Sequence, residues 1–140
     1  MFLQQKKELK LVAPMIQNAN KLLDMSLDKK AHWDNVFATK QETEVSWYQQ
    51  KPETSIQFFV ENNIPKEAKI IDIGGGDSYL IDNLLELGYT NLSLLDISAN
   101  AIERIKNRLG VKSENVTFIV SDMRIMLCPA LSFIFFFTII

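Results

Sequence analysis

The chain is poor in the residues that build several common kinds of site. It has one cysteine, Cys128, and one histidine, His32, in 140 residues. A single cysteine excludes an intrachain disulfide and fits a reducing compartment, so a cytoplasmic location is expected. One histidine and one cysteine supply neither a zinc ligand set nor a Cys-His nucleophile pair, so no metal is expected. His32 is read as a surface or lid residue. Net charge is only −2 and the basic residues are scattered, which argues against a nucleic-acid groove. Lys6, Lys7 and Lys10 lie early, but no apolar core of a signal peptide follows them. No internal repeat is present, and no low-complexity tract precedes residue 125. A chain of this length can form one domain with a real core.

Glycine is also scarce, yet three of the five glycines stand together at 74–76. They lie within Ile70-Ile71-Asp72-Ile73-Gly74-Gly75-Gly76-Asp77-Ser78. An apolar run leads into the cluster, and the apolar-periodic segment Tyr79–Leu87 follows it. The pattern predicts a strand, a tight turn and a helix, the opening unit of a nucleotide-type α/β fold. Three readings of the turn compete. A phosphate-binding P-loop needs a closing Lys and Ser/Thr, whereas Asp77 and Ser78 stand here and no basic residue lies between Lys69 and Arg104. A dinucleotide fingerprint, G-x-G-x-x-G, is met by Gly74 and Gly76 but has Tyr79 where a small residue is wanted. That argues against an NAD-type oxidoreductase. The third reading is a cationic, phosphate-free ligand. S-adenosylmethionine carries a sulfonium and an ammonium, which suit a turn rich in carboxylates and free of lysine.

Asp72, Gly74 and Gly76 resemble motif I of the class I S-adenosylmethionine-dependent methyltransferases, D/E-x-G-x-G. Leu92–Leu95 reads as the second strand. Asp96 ends it, 24 residues after Asp72, with Ile97 beside it. An acidic residue there can accept hydrogen bonds from ribose hydroxyls, as in other Rossmann-like units. The competing reading has Asp96 or Ser98 capping the helix Ala99–Leu109. Val116–Val120 reads as the third strand, with Asp122 and Met123 at its carboxyl end. The resemblance implies that Asp122 meets the adenine amino group and that the Met123 backbone meets the ring; an ordinary loop aspartate is the alternative. It also implies that Asp72 interacts with the amino-acid end of the cofactor.

The resemblance extends upstream. His32-Trp33-Asp34-Asn35-Val36-Phe37, Glu44-Val45-Ser46-Trp47-Tyr48-Gln49 and Pro52-Glu53-Thr54-Ser55 are similar to the start of a group of small class I methyltransferases, and the similarity covers residues 31–124. Trp33, Trp47 and Tyr48 are candidates for a lid over the cofactor, or for packing on the sheet. Trp47–Pro52 also matches an immunoglobulin light-chain framework. That fold needs two cysteines bracketing the tryptophan, so the match is coincidental.

Three regions follow. Residues 1–30 form a leader, read as helical although Pro14 interrupts it. Residues 31–124 form a cofactor-binding domain with a Rossmann-like three-layer α/β sandwich and parallel strands near 69–73, 92–96 and 116–121 in order 3-2-1. Thr54 with Gln57 has the pattern of a capping box for a helix ending near Asn62. Residues 125–140 carry no charge and hold four of the nine phenylalanines. They have three readings: the product of a truncated or frame-shifted reading frame, which is favoured; a surrogate strand; or a membrane anchor, for which sixteen residues are short. A membrane role is therefore not expected. On the favoured reading the acceptor half of the fold is missing or replaced, and activity is weak. The resemblance implies methyl transfer to an unidentified acceptor, protein or small molecule, with no catalytic group assignable. A non-catalytic cofactor-binding or protein-interaction remnant is the alternative.

Overall fold

In a computed structural model of the chain, residues 2–123 and 134–137 are described. Helix α1, Phe2–Thr39, runs 38 residues without a break, crossing residue 30 and passing through Pro14. A proline inside a helix removes one backbone hydrogen bond and strains the preceding turn, but here it does not end the element. A 3-10 turn, Glu42–Glu44, and helix α2, Glu53–Glu61, follow. The alternating unit is then β1 (Ile70–Ile73), α3 (Leu80–Glu86), β2 (Leu92–Asp96), α4 (Ala99–Leu109), a second 3-10 turn at Gly110–Asn115, and β3 (Val116–Val120). The last described strand is β4, Ile134–Phe137.

The sheet order is β3-β2-β1-β4 and every pairing is parallel. Ile70 stands opposite Leu92, and Leu92 opposite Val116. The expected order 3-2-1 is thus present, with one strand added beside β1. Of the three readings of the apolar tail, the surrogate strand is the one that residues 134–137 adopt. Residues 134–137 pair with β1 in the register Ile70–Ile134 to Ile73–Phe137. A run of β-branched and aromatic residues satisfies its backbone at the open edge of β1, where an unpaired strand would be a liability. The rest of residues 125–140 lies outside the described residues.

β1 and β2 are buried at every position, as central strands of a covered parallel sheet are. One face carries the main core. Ile70, Leu92 and Leu94 pack there with Leu80, Ile81 and Leu84 of α3, Ile102 and Ile105 of α4, and Phe59 of α2. Ile71, Ile73 and Leu95 form a smaller cluster with Ile119. The described helices that pack on the sheet therefore supply one helical layer of the Rossmann-like sandwich.

One helix boundary is set otherwise than the sequence suggests. Pro52, not Thr54, stands at the N-cap of α2, and Thr54 lies inside the helix. Proline has a fixed φ suited to a helix start. The capping-box geometry is found instead at Gln41 and Glu44, where Glu44 Oε2 accepts from the Gln41 amide at 2.7 Å. Trp47–Pro52 forms turns and bends, with no strand of an immunoglobulin kind. Among the described residues, no helix is long and apolar enough to cross a membrane.

Candidate functional site at the carboxyl ends of the strands

The glycine turn leaves β1 with its backbone still paired to the sheet, since Gly74 N donates to Leu95 O at 2.8 Å. Gly74 and Gly76 then take positive φ, 69° and 52°, a region that L side chains rarely adopt. Gly75 is needed for another reason. A Cβ there would stand 2.4 Å from Asp72 Oδ2 and 2.8 Å from its Cγ. The Asp72 carboxyl is fully buried directly beneath the turn, and Ser78 Oγ lies 3.5 Å from its Oδ2. A Cβ on Gly76 would meet Phe37 Cζ at 2.9 Å.

Asp96, at the end of β2, faces the same turn. Its Oδ2 accepts from Gly76 N at 2.9 Å and its Oδ1 from Ser98 N at 2.7 Å. Burial pushes the Asp96 carboxyl above its ordinary value; the two amide donors oppose this, and the neighbouring charges of Asp77 and Asp34 reinforce it. The capping of α4 falls to Ser98, whose hydroxyl accepts from Ala101 N at 3.2 Å. Each carboxylate oxygen has a second lone-pair direction beyond the amide it holds.

Asp122 is buried just past β3, and Ser121 N donates to Asp96 O at 2.9 Å, so the ends of β2 and β3 are tied together. Ile97 is half-buried and Met123 is exposed. The structure thus brings Asp72, Gly74, Gly75, Gly76 and Asp96 into one cluster, with Asp122 and Met123 at the adjoining strand end. Trp33 stands further out. Its ring packs against Phe37 at 6.1 Å and Trp47 at 5.8 Å, and it is Phe37 that reaches Gly76. Trp47 Nε1 is buried with no hydrogen-bond partner among the described residues. His32 is exposed, with its ring edge-on to Trp33.

Four further residues shape this end of the sheet. Asp34 docks α1 onto α4: its Oδ1 accepts from Ser98 Oγ at 2.7 Å, and its carbonyl accepts from Asn100 Nδ2 at 2.8 Å. Burial raises the Asp34 carboxyl, but hydrogen bonds from Lys30, Ser98 and Asn100 outweigh this and hold it below its ordinary value. Phe37 is buried over the turn. Arg104 and Arg108, both on α4, reach back to the turn: Arg104 pairs with Asp77 at 3.1 Å, and Arg108 with Asp82 at 2.8 Å. The turn is free of lysine in sequence, yet in space its Asp77 charge is matched by an arginine. The i, i+4 spacing of the two arginines places them on one helix face. Only the crossover geometry shows which loop that face meets.

No protein-family profile matches the sequence. A mouse protein named eEF1A lysine and N-terminal methyltransferase is 28% identical over 102 residues, covering 73% of this chain and 14% of the relative. Human EEF1A lysine methyltransferase 2 is 26% identical over 86 residues, covering 56% of this chain and 36% of the relative. The chain therefore spans well under half the length of these curated relatives. A solved structure of Haemonchus contortus phosphoethanolamine N-methyltransferase 1 aligns with a TM-score of 0.47 and 18% identity, covering 69% of this chain and 21% of that one. The sequence matches run to enzymes named for methyl transfer, and the chain is similar to these methyltransferases over part of their length.

Proposed function

We propose that the chain binds S-adenosylmethionine at the carboxyl ends of β1, β2 and β3, within the cytoplasm, and serves methyl transfer to an amine on a protein. The observation that carries this reading is the buried hydrogen bond from Gly76 N to Asp96. It places a carboxylate with spare acceptor capacity beside a glycine turn that no Cβ could enter. Open parallel sheets take their ligands at the carboxyl ends of the strands. The donor set fits this cofactor, because carboxylates at Asp72, Asp96 and Asp122 suit hydroxyl, ammonium and amino donors better than phosphates.

In this reading Asp96 accepts from the ribose hydroxyls and the turn admits the cofactor to the backbone. Asp72 acts on the amino-acid end, directly or through water. Asp122 and the Met123 backbone receive the adenine, with Ile97 against it. Phe37, with Trp33 and Trp47 behind it, covers the turn and limits water. The bound cofactor supplies an electrophilic methyl group on a sulfonium. The protein's part is to hold donor and acceptor at near-attack distance.

An amine acceptor must reach the site deprotonated. The curated relatives are named for lysine and N-terminal methylation of elongation factor 1A, which supports a protein amine as the acceptor class. Radiolabelled methyl transfer to purified elongation factor 1A, run beside calorimetric titration of the cofactor, tests both halves of the reading. Binding with turnover supports it. Binding without turnover on any protein acceptor favours a non-catalytic cofactor-binding role, and absence of binding refutes it.

A further inference from the structure

Tyr79 occupies the position at which a dinucleotide fingerprint has its third small residue, and the cofactor reading gives it no role. Its surroundings do. The Arg108 guanidinium lies 3.9 Å over the Tyr79 ring. From there it spends its donors on the loop that follows the glycines: NH1 on the Asp77 carbonyl at 2.8 Å and NH2 on the Ser78 carbonyl at 2.7 Å. Nε and NH2 meet both oxygens of Asp82, at 3.0 and 2.8 Å, in a two-pronged pair. The Tyr79 hydroxyl donates to Glu42 Oε1 at 3.0 Å, and Glu42 Oε2 lies 3.6 Å from Arg108. One turn earlier on α4, Arg104 holds the Asp77 carboxylate and donates to the Lys40 carbonyl. Asp77 is thus gripped at its side chain by one arginine and at its carbonyl by the other.

Support of α3 does not by itself explain this placement. A cation beside a helix N-terminus opposes the helix dipole, and Tyr79 gives α3 no side-chain cap. Besides Asp82 of α3, Arg108 holds the backbone of residues 77 and 78, immediately after Gly76. That segment is the exit of the glycine turn, and the Gly76 amide at its start is the donor to Asp96.

We propose that Arg108, seated on Tyr79 and assisted by Arg104, is a positioning residue that holds the glycine turn in its cofactor-accepting shape. It takes over from outside the turn a task that a third small residue performs elsewhere by close helix–strand packing. The inference rests on the S-adenosylmethionine reading above. A planar guanidinium can span two carbonyls and a carboxylate at once, and an ammonium cannot.

The test is calorimetric titration of S-adenosylmethionine into the full chain and into Arg108→Lys and Arg108→Met, with the folded fraction of each sample measured by circular dichroism. Arg108→Lys keeps the charge. It is expected to stay folded and yet bind about tenfold more weakly per folded molecule, with Arg108→Met weaker still, in line with the loss of charge-assisted hydrogen bonds. If Arg108→Met does not fold, Arg108→Lys decides. Wild type that binds while folded Arg108→Lys binds within twofold of it overturns this inference alone. Wild type that does not bind overturns the cofactor reading itself.

Discussion

The Gly76 amide donates to Oδ2 of Asp96 at 2.9 Å, so one buried hydrogen bond joins the turn after β1 to the end of β2. Removing the carboxylate leaves the Gly76 and Ser98 amides without their acceptor and removes the ribose acceptor with it. Asp96→Ala is expected to lower S-adenosylmethionine affinity roughly 10- to 150-fold, the equivalent of ~1.5–3 kcal/mol. Asp77→Ala should cost less, because Arg108 still holds the Asp77 carbonyl. Titration calorimetry on both variants checks the ranking, and equal affinity of Asp96→Ala and wild type would refute the ribose role.

Cofactor affinity is expected to fall as pH is lowered through the raised Asp96 value, since a protonated carboxyl has lost acceptor capacity. The apo fold responds in the opposite sense at this residue. A folded-state pKa above the ordinary 3.8 means that the folded chain holds the proton more tightly than the unfolded one. The Asp96 contribution to stability is therefore full below 3.8 and is lost as pH rises through the folded value. Asp34 is the reverse case. Its folded value is depressed, so its contribution is present above 3.8 and is lost as pH falls through the folded value. Denaturant melts of wild type, Asp34→Asn and Asp96→Asn between the acid range and neutrality should separate the two slopes.

Asp34→Ala is expected to destabilise the chain by ~1–2 kcal/mol, because it removes the acceptor for Ser98 Oγ at the start of α4. The loss should appear as a lower melting temperature by circular dichroism. Limited proteolysis should also cut sooner within residues 14–33, because the side-chain anchor of α1 on α4 is gone and only the backbone carbonyl of residue 34 still holds Asn100.

The glycines are expected to differ in their tolerance of alanine. Gly75→Ala drives a Cβ into the Asp72 carboxyl, and Gly76→Ala combines a positive φ with a contact on Phe37. Each should cost ~1–3 kcal/mol. Gly88 has a positive φ of 86° but open space around it, so Gly88→Ala should cost about 1 kcal/mol and leave cofactor binding unchanged. Thermal melts with and without S-adenosylmethionine make the comparison.

The strands and the turn were legible because their signals are local. Short apolar runs lead to Asp72, Asp96 and the Ser121-Asp122 pair, and glycines stand where helices stop. The cluster of Asp72, Gly76 and Asp96 was legible through the glycine motif and its family resemblance, together with a βαβ pattern that fixes where each strand ends. What could not be read depends on crossover packing. Arg108 meets Asp82 across 26 residues, and Asp34 meets Ser98 across 64. The periodicity of α4 shows which of its residues share a face, but not the loop opposite that face. The strand propensity of Ile134–Phe137 was legible, but its partner was not, for a related reason: only the open edge of β1 gives it one.

Isothermal titration of S-adenosylmethionine into the wild-type chain, repeated with NADH, tests the central claim most directly. Saturable one-to-one binding of S-adenosylmethionine that Asp96→Ala weakens is expected, with no binding of NADH. Saturable NADH binding with no heat from S-adenosylmethionine would contradict it.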